Sequence, residues 1–148
     1  MHAELEPPRL LLGDGKRPDG ASLDPWRVGS YLVWDFTCPD TLAPSHLQLS
    51  SSTAGSVAQK AEGKKRVKYV ELVASGNFSF IPVAVETLGV WGPSAHALCC
   101  DISGRLASES GDSRFNAFLM QRLSLAIQRG KAAAVVGTFP TCDNRWEN

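Results

Sequence analysis

Two aspartates, Asp19 and Asp35, have the spacing in this chain that most directly suggests chemistry. They are equidistant from Arg27, the centre of a predicted turn, so a simple hairpin of 17–23 with 31–37 places them opposite each other on adjacent strands. Like charges opposed on a sheet are unfavourable unless a cation joins them, and carboxylate oxygens suit Mg²⁺ or Mn²⁺. The alternative, which spacing alone slightly favours, is that Asp19 shapes a Pro-Asp-Gly turn and Asp35 caps a strand end.

A basic cluster follows in a segment predicted to be helical. It comprises Lys60, Lys64, Lys65, Arg66 and Lys68, interrupted only by Glu62. Lys64 and Lys68 are four residues apart and share a helix face, whereas Lys65 is turned toward the other side. A lysine turned inward can contact a phosphate or an attacking water, and the outward ones can neutralise backbone charge. The alternative is an ordinary solvated helix face.

The elements that must position these residues follow from periodicity. In the second strand of the hairpin, Val33 and Asp35 share one face and Leu32 and Trp34 the other. The later elements are a helix over 57–73, a strand over 78–86, a helix over 94–109 and a helix over 113–129 that stops at Gly130. The inward residues of the first helix are Val57, Ala61, Val67, Val70 and Val73. The last helix packs inward Phe115, Phe118, Leu119, Leu123, Ala126 and Ile127. This order predicts an α/β domain whose mixed sheet is flanked by helices.

Composition limits the functional classes. A chain of 148 residues with 43% hydrophobic and 20% charged residues is expected to be globular and to need no disulfide framework. Its net charge is zero, so attraction to nucleic acid must come from local clusters. Four irregularly spaced cysteines favour a reducing compartment, and no apolar run is long enough to cross a membrane. We therefore expect an intracellular location and no membrane partner.

An ordered set of motifs resembles a known family. Arg17-Pro18-Asp19, Asp35-Phe36-Thr37 and Lys64–Tyr69 together resemble the PD-(D/E)XK nuclease pattern of the restriction-like endonuclease region found at the C-terminus of non-LTR retrotransposon reverse-transcriptase reading frames. The resemblance extends from Gly13 to about Phe139. It is carried by the segments GDGKRPDG, LVWDFTCPDTLAPSHL, KKRVKY, FIPVAVETLGVWGP and FLMQRLSLAIQRG. The triplet RPD alone is weak, whereas the ordered set is considerably more specific.

This resemblance implies a restriction-endonuclease-like fold and metal-dependent cleavage of DNA. Asp19 and Asp35 would bind Mg²⁺ or Mn²⁺, with the carbonyl of Phe36 as a third ligand. A metal-bound water would attack a phosphodiester, and Lys68, or alternatively Lys65, would orient or deprotonate it. The residues expected to contact DNA are Lys60, Lys64 and Arg66.

Two features depart from the family pattern. Thr37 stands where a D-x-K motif has its lysine. The helix that normally precedes the first motif, with its acidic residue, is not recognisable, because only Glu4 and Glu6 are available in a proline-interrupted arm. These departures support an alternative in which the chain is a catalytically inactive, nucleic-acid-binding or structural relic of the same fold. A third hypothesis is a protein-interaction domain whose basic helix face is only solvated.

The predicted organisation is an irregular arm over 1–16, a restriction-endonuclease-like domain over 17–139 and a polar tail over 140–148. The expected partners are DNA and, as a further candidate, the remainder of a retrotransposon polyprotein. Within the cell, the nucleus is one option for its location. For other polar residues a structural role is favoured over chemistry. These are Glu86 at a strand end, His46 in a loop, Trp91 in a turn, and His96 with Cys99 and Cys100 on one helix.

Overall fold

The computed structural model describes residues 2–7, 10 and 16–138. The strands are β1 (Ala3–Leu5), β2 (Gly20–Arg27), β3 (Ser30–Thr37) and β4 (Phe78–Ala84), and the helices are α1 (Leu47–Ser50), α2 (Ser56–Lys68), α3 (Val70–Ala74), α4 (Pro93–Ser110) and α5 (Phe115–Val136). The chain groups into two compact units, Met1–Ile102 and Ser103–Asn148. The division lies within α4, and the domain limits predicted from the sequence stay predictions.

The first unit is built on one mixed sheet with the strand order β1-β2-β3-β4. β2 is antiparallel to both β1 and β3, whereas β4 runs parallel to β3. A parallel neighbour needs a long crossover connection, and α1, α2 and α3 lie in that connection. The α/β architecture with a mixed, helix-flanked sheet is therefore confirmed.

Each face of the sheet has its own apolar core. On one face Val33 packs with Tyr69, Leu72 and Phe80, and on the other Leu32 packs with Trp26 and Leu98. Consecutive residues of β3 thus face opposite helical layers, as strand geometry requires. The predicted alternation is confirmed, and Asp35 lies on the Val33 face, toward α2 and α3.

The hairpin differs from its predicted form. β2 ends at Arg27 and β3 begins at Ser30, so the turn is Val28-Gly29. The prediction of a longer turn centred on Arg27 is therefore wrong. Gly29 has φ 72°, a conformation that glycine adopts without steric cost. Irregularities in β2 around Pro25 then shift the register, and the pairs at the far end are Gly20 with Trp34 and Ala21 with Val33. The pairing predicted at the aspartate end is therefore present although the turn was misplaced.

The predicted helix over 57–73 is two helices that meet at Tyr69, whose φ is −109°. Val57 is buried as predicted, but the other large inward positions were wrong. Val67, Val70 and Val73 are exposed, and the buried side chains are instead Ala58, Glu62, Tyr69 and Leu72. The packing of Tyr69 and Leu72 on the sheet rotates the helix so that Lys65, between Glu62 and Tyr69, also faces the sheet.

In the second unit, α5 continues beyond its predicted end. Gly130 does not stop the helix, because one glycine costs only about 1 kcal/mol relative to alanine and Lys131–Ala134 are good helix formers. The predicted inward positions of this helix are not buried within the described residues. Phe118, for example, is 52% exposed.

The N-terminal segment contains a strand where an irregular arm was expected. Ala3–Leu5 form β1 and pair with Gly20–Ser22 of β2. The polar tail over 140–148 lies outside the described residues. Across the part of the chain that the structure describes, no helix is long and apolar enough to span a bilayer.

Candidate active site

Asp19 and Asp35 face each other at the open end of the hairpin. Asp19 directly precedes β2, and the pairing of Gly20 with Trp34 brings it opposite Asp35 in β3. Asp19 is half-buried, and Asp35 is only 3% exposed. The backbone N–H of Phe36 donates a hydrogen bond to Asp19 Oδ2 over 2.5 Å, which fixes one carboxylate against the neighbouring strand.

The surroundings of Asp19 change its protonation. The pKa of Asp19 is raised above its ordinary value, first because the group is partly buried and then because the charge of Asp35 is close. The hydrogen bond from the Phe36 amide acts in the opposite direction. Two carboxyl groups that face each other on adjacent strands repel when both are ionised, and a cation between them would relieve that repulsion.

Two lysines of α2 converge on the same carboxylate. Lys65 Nζ lies 2.7 Å from Asp35 Oδ2, and Lys68 Nζ lies 3.8 Å from the same atom. The side chain of Lys65 is 23% exposed and that of Lys68 is 42% exposed. Both lysines named from the sequence are thus at the aspartate pair, and Lys65 is the nearer and more buried.

Tyr69, the last residue of the Lys64–Tyr69 motif, belongs to this site, although the sequence assigned it no role. Its side chain is fully buried beside Phe80, at 4.6 Å between ring centroids. Burial and the nearby charge of Asp35 raise the pKa of Tyr69 to about 12. Its hydroxyl makes no hydrogen bond to any residue that the structure describes. The only signal in the sequence is its spacing of four residues from Lys65, which puts both on one helix face.

The residues at this position fit a magnesium or manganese ion. The N–H of Phe36 points toward Asp19, and in an extended strand the carbonyl of the same residue points to the same side. Continuing the register places Phe36 opposite Pro18, which has no N–H to donate to that carbonyl. Mg²⁺ is commonly held by one or two carboxylates and several waters, so a third acidic ligand is not required. The described residues contain no cluster of three or more His, Cys, Asp or Glu side chains.

The remaining basic residues separate into two groups. Arg66 Nη2 donates to the Ser94 hydroxyl over 2.6 Å, so this arginine is directed toward the start of α4. Lys60 and Lys64 are exposed and continue, at four-residue spacing, the line that begins with Lys68. This lysine row, defined as Lys60, Lys64 and Lys68, leads away from the aspartate pair along α2.

Two buried glutamates serve the scaffold. Glu86 Oε1 accepts hydrogen bonds from the amides of Val57 and Ala58, and its Oε2 accepts one from the Thr41 hydroxyl. Glu62 accepts hydrogen bonds at the start of α4. Both carboxylates thus bind the N-terminus of a helix, where negative charge is favourable. The structural role favoured for Glu86 agrees with these contacts, whereas Glu62 was hidden within the basic cluster.

The other candidates make local contacts. His46 Nδ1 lies 2.8 Å from the carbonyl oxygen of Asp40 in the same loop. Cys100 Sγ lies 3.8 Å from His96 Nδ1 on one helix, and Cys99 is buried. Burial raises the pKa of the Cys99 thiol. Trp91 is half-buried and pairs through its backbone with Val85.

No family model, no curated protein and no solved structure matches this chain.

Proposed function

We propose that the chain contains a restriction-like endonuclease domain, derived from a retrotransposon, that hydrolyses DNA phosphodiesters with Mg²⁺ or Mn²⁺. The observation that carries the proposal is the convergence on Asp35, with Asp19 opposite it and the Lys65 ammonium at 2.7 Å. A carboxylate pair for a cation and an adjacent lysine for the phosphate are the groups that this chemistry needs. The mixed sheet that positions them is compatible with a restriction-endonuclease-like fold.

Asp19, Asp35 and the carbonyl of Phe36 would hold the metal. When bound, the metal supplies an activated water and stabilises charge on the phosphate. The protein contributes the placement of both carboxylates on adjacent strands. The Phe36 amide keeps Asp19 oriented, and the core around Val33 keeps β3 fixed beneath them. Such preorganised ligands need no rearrangement at the moment of reaction.

Lys65 is the better candidate for the lysine role. Its ammonium is already at Asp35, and a cation between the carboxylates would repel it toward the substrate phosphate. There it would orient the attacking water or neutralise the phosphate. Lys68 is farther from Asp35 and more exposed, which suits a contact with the DNA backbone. This assignment reverses the preference for Lys68 formed from the sequence.

A second candidate function is the inactive, nucleic-acid-binding relic. The observation that favours it is the same Lys65–Asp35 pair, which neutralises the buried carboxylate without any metal. Thr37 in place of the D-x-K lysine points in the same direction. Such a protein would still bind DNA through the lysine row, but it would not cut.

Nicking of a supercoiled plasmid tests the proposal, since one cut is visible as a change in mobility. We expect Mg²⁺- or Mn²⁺-dependent nicking that is lost in Asp35→Asn and in Lys65→Ala. Lys60→Ala is the matched control, because Lys60 is an exposed lysine of the same helix at the end of the lysine row away from Lys68 and Asp35. It should keep the nicking rate at saturating DNA, whereas its DNA affinity should fall by about one phosphate contact. Nicking that survives Asp35→Asn would contradict the proposal.

Salt dependence identifies the relic. If the three lysines of the row each contact a phosphate, the logarithm of the DNA affinity should fall with the logarithm of salt with a slope of about −2.7, at about 0.9 per contact. Binding with such a slope and no nicking under any metal condition identifies the relic. Absence of both binding and nicking contradicts both functions and leaves the solvated helix face.

A further inference from the structure

We propose that Tyr69 is a positioning residue whose hydroxyl donates a hydrogen bond to the Asp35 carboxylate when a divalent cation occupies the aspartate pair. The inference rests on the proposed function, because it concerns the same metal site. It goes beyond that function by assigning a role to a side chain that ends the Lys64–Tyr69 motif and has no part in the predicted mechanism.

The first observation is the state of the hydroxyl itself. Tyr69 is fully buried, and its hydroxyl has no hydrogen-bond partner among the described residues. Native proteins rarely leave a buried polar group in this condition, and such groups are found where function requires them. Phenylalanine would pack equally well in an apolar core, so packing alone does not account for a tyrosine here.

The second observation is the rigidity of the ring. Tyr69 lies at the junction of α2 and α3 and is enclosed by Val33, Leu72 and Phe80. The ammonium of Lys68 lies 4.7 Å from the centroid of the ring and covers it. The hydroxyl is therefore held in place rather than free to turn to solvent, and it lies on the helix face that Lys65 directs at Asp35.

Asp35 exchanges its hydrogen-bond donor when a cation binds. In the structure the donor to Asp35 Oδ2 is the positively charged Lys65. A divalent cation at the carboxylates repels that ammonium, and Asp35 then loses its donor. The hydroxyl of Tyr69 is neutral, so a cation does not repel it. Donors of this kind orient metal-binding side chains, and their loss commonly weakens metal affinity by about 10- to 100-fold.

The test compares Tyr69→Phe with Tyr31→Phe by calorimetric titration of the full chain with Mn²⁺. Tyr31 is a partly exposed tyrosine on β3 and serves as the matched control. We expect Tyr69→Phe to bind Mn²⁺ about tenfold or more weakly than the wild type. We expect the urea midpoint of the metal-free Tyr69→Phe variant to be unchanged or higher, because the substitution removes a buried hydroxyl without a partner. Tyr31→Phe should match the wild type in both measurements.

A merely structural tyrosine gives a different result. Equal Mn²⁺ affinity in Tyr69→Phe and the wild type overturns the inference, and so does a lowered urea midpoint in the metal-free variant. Failure of the wild type to bind Mn²⁺ overturns the metal site and this inference with it. Mn²⁺ binding that depends on Tyr69, in a protein that does not nick DNA, supports the inference while it contradicts the nuclease.

Discussion

Glu62, in the middle of α2, receives a hydrogen bond from the Ser94 hydroxyl over 2.6 Å and closes the N-terminus of α4. The Ser94 amide donates to both carboxylate oxygens at 3.0 and 3.1 Å, and the Ala95 amide donates to Oε1 at 3.1 Å. The side chain is only 2% exposed. A helix commonly begins with a capping side chain of its own segment, whereas here another helix supplies it. The carboxylate is well placed against the positive end of the α4 dipole.

Replacement of Glu62 by glutamine should destabilise the protein. The amide keeps one acceptor oxygen but turns an NH₂ group toward the α4 amides, so buried N–H donors lose their partners. We expect the free energy of unfolding to fall by about 2 kcal/mol, measured by urea denaturation. Glu71→Gln is the control, because Glu71 is exposed and its ion pair with Lys16 is long, at 3.8 Å. This substitution should change the free energy of unfolding by less than about 1 kcal/mol. Equal losses in the two variants would contradict the capping role.

Two glycines near or within α4 should respond oppositely to alanine. A Cβ at Gly92 would overlap the Glu62 carboxylate, so Gly92→Ala should displace the cap and cost about 1 to 3 kcal/mol. A Cβ at Gly104 would meet nothing within 4 Å, so Gly104→Ala should raise stability by about 0.5 to 1 kcal/mol through helix propensity. Thermal unfolding of both variants checks the pair, and a stabilised Gly92→Ala would exclude a tight fit at that position.

The two lysines at Asp35 should differ in their contribution to stability. Lys65→Ala leaves a carboxylate that is only 5% exposed without its nearest cation, and we expect a loss of about 3 kcal/mol. Lys68→Ala removes a longer and more exposed contact, so the loss should stay below about 1 kcal/mol. Urea denaturation without divalent ions measures both, because urea is uncharged and does not screen the ion pairs. Equal losses would show that the two lysines share Asp35 evenly.

The raised pKa of Asp19 predicts the sign of a pH effect. The folded protein holds the Asp19 proton more tightly than the unfolded chain does, so this residue stabilises the fold at low pH, and that stabilisation is lost as pH rises above its ordinary value of 3.8. Without metal, the stability of the wild type relative to Asp19→Asn should therefore decline with rising pH. Urea denaturation of both proteins at several pH values gives the difference, and an increase with pH would contradict the raised pKa of the partly buried Asp19.

The sequence predicts the aspartate pair, because the register of two paired strands is enough to place Asp19 opposite Asp35. The predicted register is correct at this end of the hairpin, although the predicted turn is not. The irregularities around Pro25 shift the register between the turn and the aspartates, so that Gly20 pairs with Trp34 as the prediction requires. The choice between Lys65 and Lys68 was not predictable in this way. The inward face of α2 is set by the packing of Tyr69 and Leu72 and not by the valines that dominate its apolar pattern. Such a rotation depends on tertiary contacts, which periodicity alone does not contain.

The buried position of Glu62 was equally hidden, because in sequence it looks like a solvated acid among lysines. Its partners at the start of α4 are about thirty residues away, and only the folded chain brings them together. The length of α5 differs from the prediction for a local reason. Gly130 alone is a stop signal, but the helix-forming residues that follow it carry the helix on to Val136.

The two buried glutamates also connect the N-terminus of α2 to the N-terminus of α4. Glu86, just beyond β4, holds the first amides of α2, and Glu62 of α2 in turn holds the first amides of α4. The start of α4 is itself tied to β4, because the Gly92 amide donates a hydrogen bond to the Ala84 carbonyl. A fluctuation that separates the end of β4 from α2 therefore releases both helix starts, although these helices cover opposite faces of the sheet. In native-state hydrogen exchange the amides of Val57, Ala58 and Ala95 should become unprotected in one cooperative event, with a single opening free energy.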